Sequence, residues 1–557
     1  MILLLASILS YIPGWGVFYQ AGIALLVPII ASRLYKTLHS YVGSGRGPQA
    51  SGNGKVSNRR AQSDTALPQT APPAAAFSGN FAADLHFIKE AIGGNSDLHF
   101  REFTLTKLQA KGVLMYVDGM QNDRLLNLKM MQFLMFEATA ESLSASGIAE
   151  HLLPFSNLRE ASNLEELNKS VLFGHAALLI EGMPKGLLIQ LPGGPNRAIA
   201  EPVSEALLRG PRLGFSEVLS ENTSMLRRQG FSDQLELKTY RAGSSVQKDL
   251  VVAYIKDIVN PELLEEVQTR ISKIDIDFLA ESGYIEQLIE DNYLSPFQQV
   301  QSTERPDRVI TALLEGRIAI LLDGTPFALI VPVTFSMLLQ SPEDYYDRWL
   351  PGSFLRMLRF SAAFMALMAP SLYISFISFH PGLIPTELAI TIIKTRQGVP
   401  FPSLIEVLIL EISIEILREA GIRLPKPIGP AMGIVGGLII GDAAVNAGIV
   451  SPFLVIVVAV TAISSFSIPM YSAGITLRLL RFAGMIFAAI LGMFGTILFF
   501  LLICSHLTRL KSFGVPYLTP VSPFRPRDWK DLFFRVPLAM MKRRPAMMKT
   551  KNSKRRS

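Results

Sequence analysis

With a single cysteine, Cys504, in 557 residues, the chain cannot form an internal disulfide or a cysteine-based zinc site. It has no Gly-x-x-x-x-Gly-Lys-Ser/Thr phosphate loop, no His-Glu-x-x-His pair and no Gly-x-Ser-x-Gly elbow. The seven histidines (39, 86, 99, 151, 175, 380 and 506) are scattered without ligand spacing. No nucleophile stands beside a base. These absences remove the reasons for reading an enzyme, a metal or cofactor site, or an ATP-driven pump. Charge is also scarce where it matters: between Lys426 and Arg478 the only formal charge is Asp442.

What the chain has instead is uneven hydrophobicity. Its hydrophobic fraction is 49% and its mean hydropathy +0.32, but charges crowd residues 84–359 and apolar runs crowd 360–505. That division predicts a fold of two classes in one chain: a soluble α/β part of two tandem related subdomains, followed by an α-helical polytopic membrane domain. Lys and Arg number 53 against 46 Asp and Glu, a net +7. Much of the excess lies in the tail, with Lys-Arg-Arg at 542–544 and again at 554–556. A basic tail beside a membrane segment reports cytoplasmic orientation and anionic lipid rather than nucleic acid.

In chain order, residues 1–31 are nearly uncharged and long enough to span a bilayer. Lacking a basic leader, they read as an additional N-terminal membrane anchor. Residues 32–80, rich in Gly, Ser, Pro, Ala and Gln, read as a disordered linker. The first α/β subdomain is expected over 81–200. It has a strand at 113–117 and a hairpin of 176–180 with 187–191 around a Gly-Met-Pro-Lys-Gly turn. The second, over 236–350, repeats the order: a strand at 250–255, a helix opened by Asn260-Pro261-Glu262, and a hairpin of 318–322 with 327–331 around Asp323-Gly324. Tyr116 and Tyr254, like Glu181-Gly182 and Asp323-Gly324, recur at a spacing of about 140, the mark of an internal duplication. A further helix is expected over 302–316, capped by Ser302 or Thr303, and another from Ser341 into the membrane part.

Between the halves, residues 201–235 carry dense mixed charge broken at Gly210-Pro211. Either they form a solvated connector, or an arm that docks on a neighbouring copy. On the second reading the oligomer interface would use Arg209, Arg212, Glu217, Asn222 and Arg227, with Glu304, Arg305 and Asp307 from the 295–308 loop.

The membrane domain, 351–506, is expected to hold about four spans (360–379, 429–449, 452–470 and 482–505) with interfacial or re-entrant helices, and 507–557 a basic cytoplasmic tail. One helix carries an acidic stripe, Glu411, Glu415 and Glu419, after Glu406. It lies between Pro402 and Pro425 and reads as interfacial or re-entrant. The four-span count places both soluble ends on the cytoplasmic side but leaves Arg478 and Arg481 in an outer loop. Gly433, Gly437 and Gly441 form an i, i+4 stripe for close helix approach. With Asp442, Asn446, Ser464 and Ser465, it reads as tight packing or as a pore lining.

Several long motifs together carry a family resemblance. They are YIEQLIEDNYLSPFQQVQSTERPDRVITALLEGRIAILLDGTPFALIVPVTF (284–335), SPEDYYDRW (341–349), EPVSEALLRGPRLGFSEVLSENTSMLRR (201–228), PGLIPTELA (381–389) and GIVGGLIIGDAAVNAGIVSP (433–452). The chain resembles the A subunit of GerA-type spore germinant receptors from about residue 81 to 524; the run 1–31 departs from the family's usual start. The resemblance implies a role in spore germination in the inner spore membrane. It implies a homo-oligomeric ring, a pentamer, forming an ion channel that opens when nutrients are sensed. The implied partners are a multi-pass nutrient-binding B subunit and a lipoprotein C subunit. An A-type paralogue associated with the spore dipicolinate channel shares the motifs. A pore-less scaffold and a secondary transporter are the competing classes, the latter disfavoured because the only repeat lies in the soluble part.

Overall fold

A computed structural model of the chain describes residues 76–121, 126, 130–138, 157–190, 201–202, 204–230, 232–423 and 441–555. The expected anchor at 1–31 and most of the linker lie outside them, as do Gly433 and Gly437.

The first helix, α1 (Phe81–Ile92), starts where the Asn80 side chain accepts hydrogen bonds from Ala82 N and Ala83 N. Strands β1 (Leu98–Leu105), β2 (Ala110–Val117) and β3 (Asn157–Glu160) follow, then α2 (Leu164–Leu172), β4 (Ala176–Ile180) and β5 (Leu187–Gln190). A reciprocal cap opens α2: Asn163 accepts from Glu166 N, and Glu166 accepts from Ser162 N. Helix α3 (Leu219–Gly230) leads to β6 (Leu235–Ala242), β7 (Lys248–Ile255), α4 (Pro261–Ser272), α5 (Ser282–Ile289), β8 (Gln301–Thr303), α6 (Pro306–Leu314), β9 (Ile318–Leu322) and β10 (Ala328–Val331).

The two sheets share one topology. The first has strand order β1-β2-β4-β5-β3 and the second β6-β7-β9-β10-β8, with antiparallel pairing throughout. Each has a hairpin, an edge strand and a helix preceding a second hairpin. The central strands are apolar on both faces: every residue of β4, β9 and β10 is buried. Burying these apolar runs removes their side chains from water and contributes to both cores.

One start signal read from the sequence falls in the wrong place. Ser302 and Thr303 belong to β8, and α6 begins at Pro306, whose missing N–H suits the first helical turn. Thr303 Oγ1 instead accepts from Arg305 N.

Two short helices, α7 (Phe335–Leu339) and α8 (Glu343–Tyr346), connect to the helical part: α9 (Trp349–Ser378), α10 (Thr386–Arg396), α11 (Ser403–Arg423), α12 (Pro452–Phe466) and α13 (Tyr471–Arg509), with residues 441–446 also helical. By length and apolar composition α9 and α13 are, among the described residues, the two helices able to cross a membrane.

Helix α13 is not straight. Gly492 has φ 62° and ψ −137°, outside helical geometry, and a Cβ there would press on the Phe379 ring. The chain reverses at this glycine. Thr476 Oγ1 donates to Pro296 O at 2.7 Å, while His506 Nε2 lies 2.8 Å from the adjacent Ser295 hydroxyl. In an unbroken helix those two positions would stand about 45 Å apart. The Phe487 and Phe499 rings, 5.6 Å apart between centroids, pack the two legs together. The expected single span at 482–505 is therefore replaced by two antiparallel legs, Tyr471–Leu491 and Met493–Arg509. Arg478 and Arg481 lie within the first leg rather than in a loop.

The basic segment after residue 507 is folded rather than free. It begins with a small hairpin, β11 (Lys511–Ser512) and β12 (Val515–Pro516). Ser512 Oγ donates to Gln299 O at 2.7 Å, and the buried Tyr517 hydroxyl donates to Gln298 O at 2.7 Å. Lys551 N donates to Ile258 O, and Arg555 pairs with Glu315 at 2.5 Å. The segment thus closes over the second sheet domain.

Candidate functional site

Two members of the acidic stripe of α11, Glu411 and Glu415, face the first leg of α13, and the charges match; Glu419 is instead exposed and pairs with Arg423 of its own helix at 2.6 Å. Glu411 Oε2 accepts from Arg481 Nη1 at 2.6 Å, with both side chains about 1–2% exposed. One turn along, Glu415 lies 3.4 Å from Arg418, 3.7 Å from Arg478 and 3.8 Å from Arg481. Arg418 then donates to Ser465 Oγ of α12 at 2.9 Å. At the other end of α11, Glu406 accepts from Arg396 at 2.5 Å and from Ser451 N at 3.3 Å, while the Tyr373 hydroxyl lies 3.2 Å from Ser451 Oγ. A seam of carboxylates and guanidiniums therefore runs through the helical part, inside surroundings otherwise made of Leu, Ile, Val, Ala and Phe.

The helix periods explain the register. Positions 411 and 415 are i, i+4 on α11, and 478 and 481 are i, i+3 on α13, so each helix shows one charged face. Isolated, any of these charges would be costly in an apolar setting; opposed, they offset one another. The offset is incomplete: Glu411 Oε1 and Arg481 Nε and Nη2 have no hydrogen-bond partner among the described residues.

Of the residues nominated for packing or a pore lining, Ser465 joins this seam and Ser464 is half-buried. Gly441 faces Val455 of α12, where an added Cβ would sit 3.8 Å from its Cγ1. Asp442 and Asn446 are exposed on the chain's own surface. Arg396, Arg478 and Arg481 were not among the nominees. The signal that finds them is complementary charge spacing on two apolar helices.

The residues nominated for an oligomer interface mostly meet partners in their own chain. Arg227, 3% exposed, binds both carboxylate oxygens of Asp97 at 2.5 and 2.7 Å and Asn95 at 2.9 Å, tying α3 to the first sheet domain. Asn222 pairs twice with the Ser216 backbone. Arg305, 1% exposed, binds Asp307, Glu205 O and Pro211 O. Ser204 N donates to Glu304, and Gly324 N donates to Glu217 O. The 201–218 segment thus clasps the second sheet domain. Arg209 and Arg212 remain exposed, in ion pairs with Asp347 and Glu201.

Where that domain meets the helices, Asp344 is fully buried between Arg356 at 2.9 Å and Arg359. Arg356 also pairs with Asp531 of the C-terminal segment at 2.7 Å, and Asp531 accepts from the Tyr345 hydroxyl at 2.7 Å. Ser341 was expected to cap the helix leading into the membrane part; instead Pro342 stands at the N-cap of the four-residue α8, Ser341 N donates to Asp344 and Glu343 N to Ser341 Oγ in the turn before it, and the long helix starts afresh at Trp349.

On the same side, burial, with Glu290 and Glu281 nearby, pushes the Glu286 carboxyl up to about 8. The folded state then holds a proton that the unfolded chain releases near pH 4. Its stabilising contribution is complete below that value and is lost as pH rises through about 8. Glu286→Gln is expected to remove this dependence and to stabilise the protein at pH 8.5. The gain should be roughly 2 kcal/mol, discounted because the carboxyl keeps partial contact with water. Melting temperatures of both proteins between pH 5 and 9 check this; parallel curves would refute it.

Comparison with known proteins bears on what such a chain does. Residues 86–547 match the family of the Bacillus/Clostridium GerA spore germination protein. Spore germination protein GerLA of Bacillus cereus is 40% identical over 478 residues, covering 86% of this chain and 97% of that one. Spore germination protein B1 of Bacillus subtilis (strain 168) is 43% identical over 463 residues, covering 83% and 96%. The uncharacterized membrane protein YfkQ of the same organism is 41% identical over 470 residues, covering 84% and 91%. Among solved structures, the N-terminal domain of the A subunit of the Bacillus megaterium spore germinant receptor GerK3 is 30% identical. It covers 47% of this chain and 99% of that one, with a TM-score of 0.38. A family match of this extent, with relatives matched over nearly their whole length, places the chain among the GerA spore germination proteins.

Proposed function

We propose that this chain is the membrane-embedded A subunit of a nutrient-triggered germination receptor, and that copies of it form a gated ion path in the inner spore membrane. The observation that carries the reading is the Glu411–Arg481 seam, a run of paired charges inside apolar helices. A pair with unsatisfied atoms can exchange partners when the helices shift, which a gate requires.

Helix directions support a bundle that crosses the membrane more than once. The N-terminal end of α9 meets the second sheet domain at Asp344, and its far end meets Gly492. Helix α11 runs back beside the first leg of α13, and both ends of the α13 hairpin return to Ser295 and Pro296. The sheet domains and the C-terminal segment then lie on one side, the cytoplasmic side that the basic residues favour. Arg478 and Arg481 sit within the bundle, which removes the conflict with an outer loop.

Asp442 and Asn446, exposed and one turn apart, would face the lumen of a ring, with Gly433, Gly437 and Gly441 letting neighbouring helices approach. The exposed Arg209 and Arg212 would mark the contact between copies. The multi-pass B subunit and the lipoprotein C subunit complete the assembly.

The purified chain in liposomes tests the reading. Ion leak from the wild type, reduced at least tenfold by Gly437→Leu, is expected. A symmetric oligomer with no leak would instead favour a pore-less scaffold, for which the internal neutralisation of the seam speaks.

A further inference from the structure

A cavity of 640 Å³ opens between the second sheet domain and the C-terminal segment, remote from the seam. Its lining holds eight basic and three acidic side chains. Arg527, Lys530, Lys542, Arg543 and Lys549 form the outer part and are exposed. Among the described residues none of them meets a carboxylate at ion-pairing distance. Arg544 and Arg555 stand deeper and are half-buried. Arg544 is held by backbone carbonyls at Leu314, Asn552 and Lys554.

Arg317, 1% exposed, also lines the cavity, with the Thr334 and Ser336 hydroxyls. One of its nitrogens donates to Pro332 O, and its Nε lies 3.7 Å from Glu315 without a hydrogen bond. A buried guanidinium with an unused donor is an energetic liability that an anion would relieve.

The three acids do not neutralise this surface. Glu315 is taken by Arg555, and Asp531 by Arg356 and Tyr345. Asp528 accepts from Ala546 N through one oxygen; its other oxygen has no partner and marks the wall that a bound anion must avoid.

We propose that this cavity binds a phosphate group, carried either by a soluble polyphosphate or by an anionic phospholipid headgroup. Its volume suits a small organic ligand. Separated guanidinium forks with neighbouring hydroxyls suit phosphate oxygens better than a single carboxylate. Because Asp531 and Tyr345 line the cavity and hold Arg356 of α9, occupancy would bear on the root of the first long helix.

The test is calorimetric titration of pyrophosphate into the full chain in phosphatidylcholine nanodiscs, beside melting temperatures in phosphatidylcholine and phosphatidylglycerol nanodiscs without soluble phosphate. Expected for a soluble ligand is saturable, salt-sensitive pyrophosphate binding, weakened at least tenfold by Lys542→Gln with Arg543→Gln. These two side chains are exposed, so folding is not at stake. Expected for a lipid headgroup is a higher melting temperature in phosphatidylglycerol that the double variant loses. Arg317→Gln should abolish whichever response is seen. If the wild type and the double variant behave alike in both arms, the proposal is overturned.

Discussion

Replacing Arg481 with leucine is expected to destabilise the helical part by about 3–5 kcal/mol, because it leaves Glu411 buried without its partner. The double variant Arg481→Leu with Glu411→Leu should recover most of that loss, since two apolar side chains of similar bulk suit the surrounding Val, Leu and Ala. In spores the two variants should also diverge in function. The single variant would fail to assemble or would leak ions. On the proposed function the double variant would assemble but no longer open, because the buried Glu411–Arg481 pair is no longer there to change partners. Melting temperature of the purified chain and ion release from spores after nutrient addition read the two effects. A double variant that germinates normally would exclude the seam from gating, whatever its role in stability.

Arg227→Ala is expected to cost a similar amount, again about 3–5 kcal/mol, in the sheet domains. The guanidinium holds Asp97 through two oxygens and reaches Asn95 and Leu235 O, and Asn95 in turn accepts from Leu237 N. This buried cluster fastens the two sheet domains to each other. Its loss should separate them before either unfolds, seen as two transitions in calorimetry and as new protease cleavage between residues 190 and 235. Arg212→Ala is the matched control. Its side chain is 70% exposed, and its pair with Glu201 should contribute under about 1 kcal/mol. Equal effects of the two substitutions would count against the internal role assigned to Arg227.

The hairpins at 176–190 and 318–331 were legible because a short apolar run, a glycine turn and a second apolar run are a local pattern. Strands β1 and β6 were not read. Leu98–Leu105 and Leu235–Ala242 alternate imperfectly and carry charge, as sheet edges do. The fold-back at Gly492 was hidden for another reason. Gly492, one of three glycines in GMIFAAILGMFGTILFFLL, leaves hydropathy unchanged, so the segment reads as one span. The same blindness put Arg478 and Arg481 in a loop. The tail looked solvated by composition, whereas the buried Tyr517, Leu532 and Met548 anchor it.

Composition, turn chemistry and long shared motifs were enough by themselves to establish a charge-rich part before an apolar part, the recurrence of one hairpin at a spacing of about 140, and the family. Each of these is carried by neighbouring residues or by runs of them, so it survives without a fold. Which carboxylate meets which guanidinium was decided by tertiary structure alone. Glu411 and Arg481, or Asp344 and Asp531 about Arg356, are brought together by helix packing and by a reversal at one glycine. Pairings between such distant positions depend on geometry that no local pattern encodes.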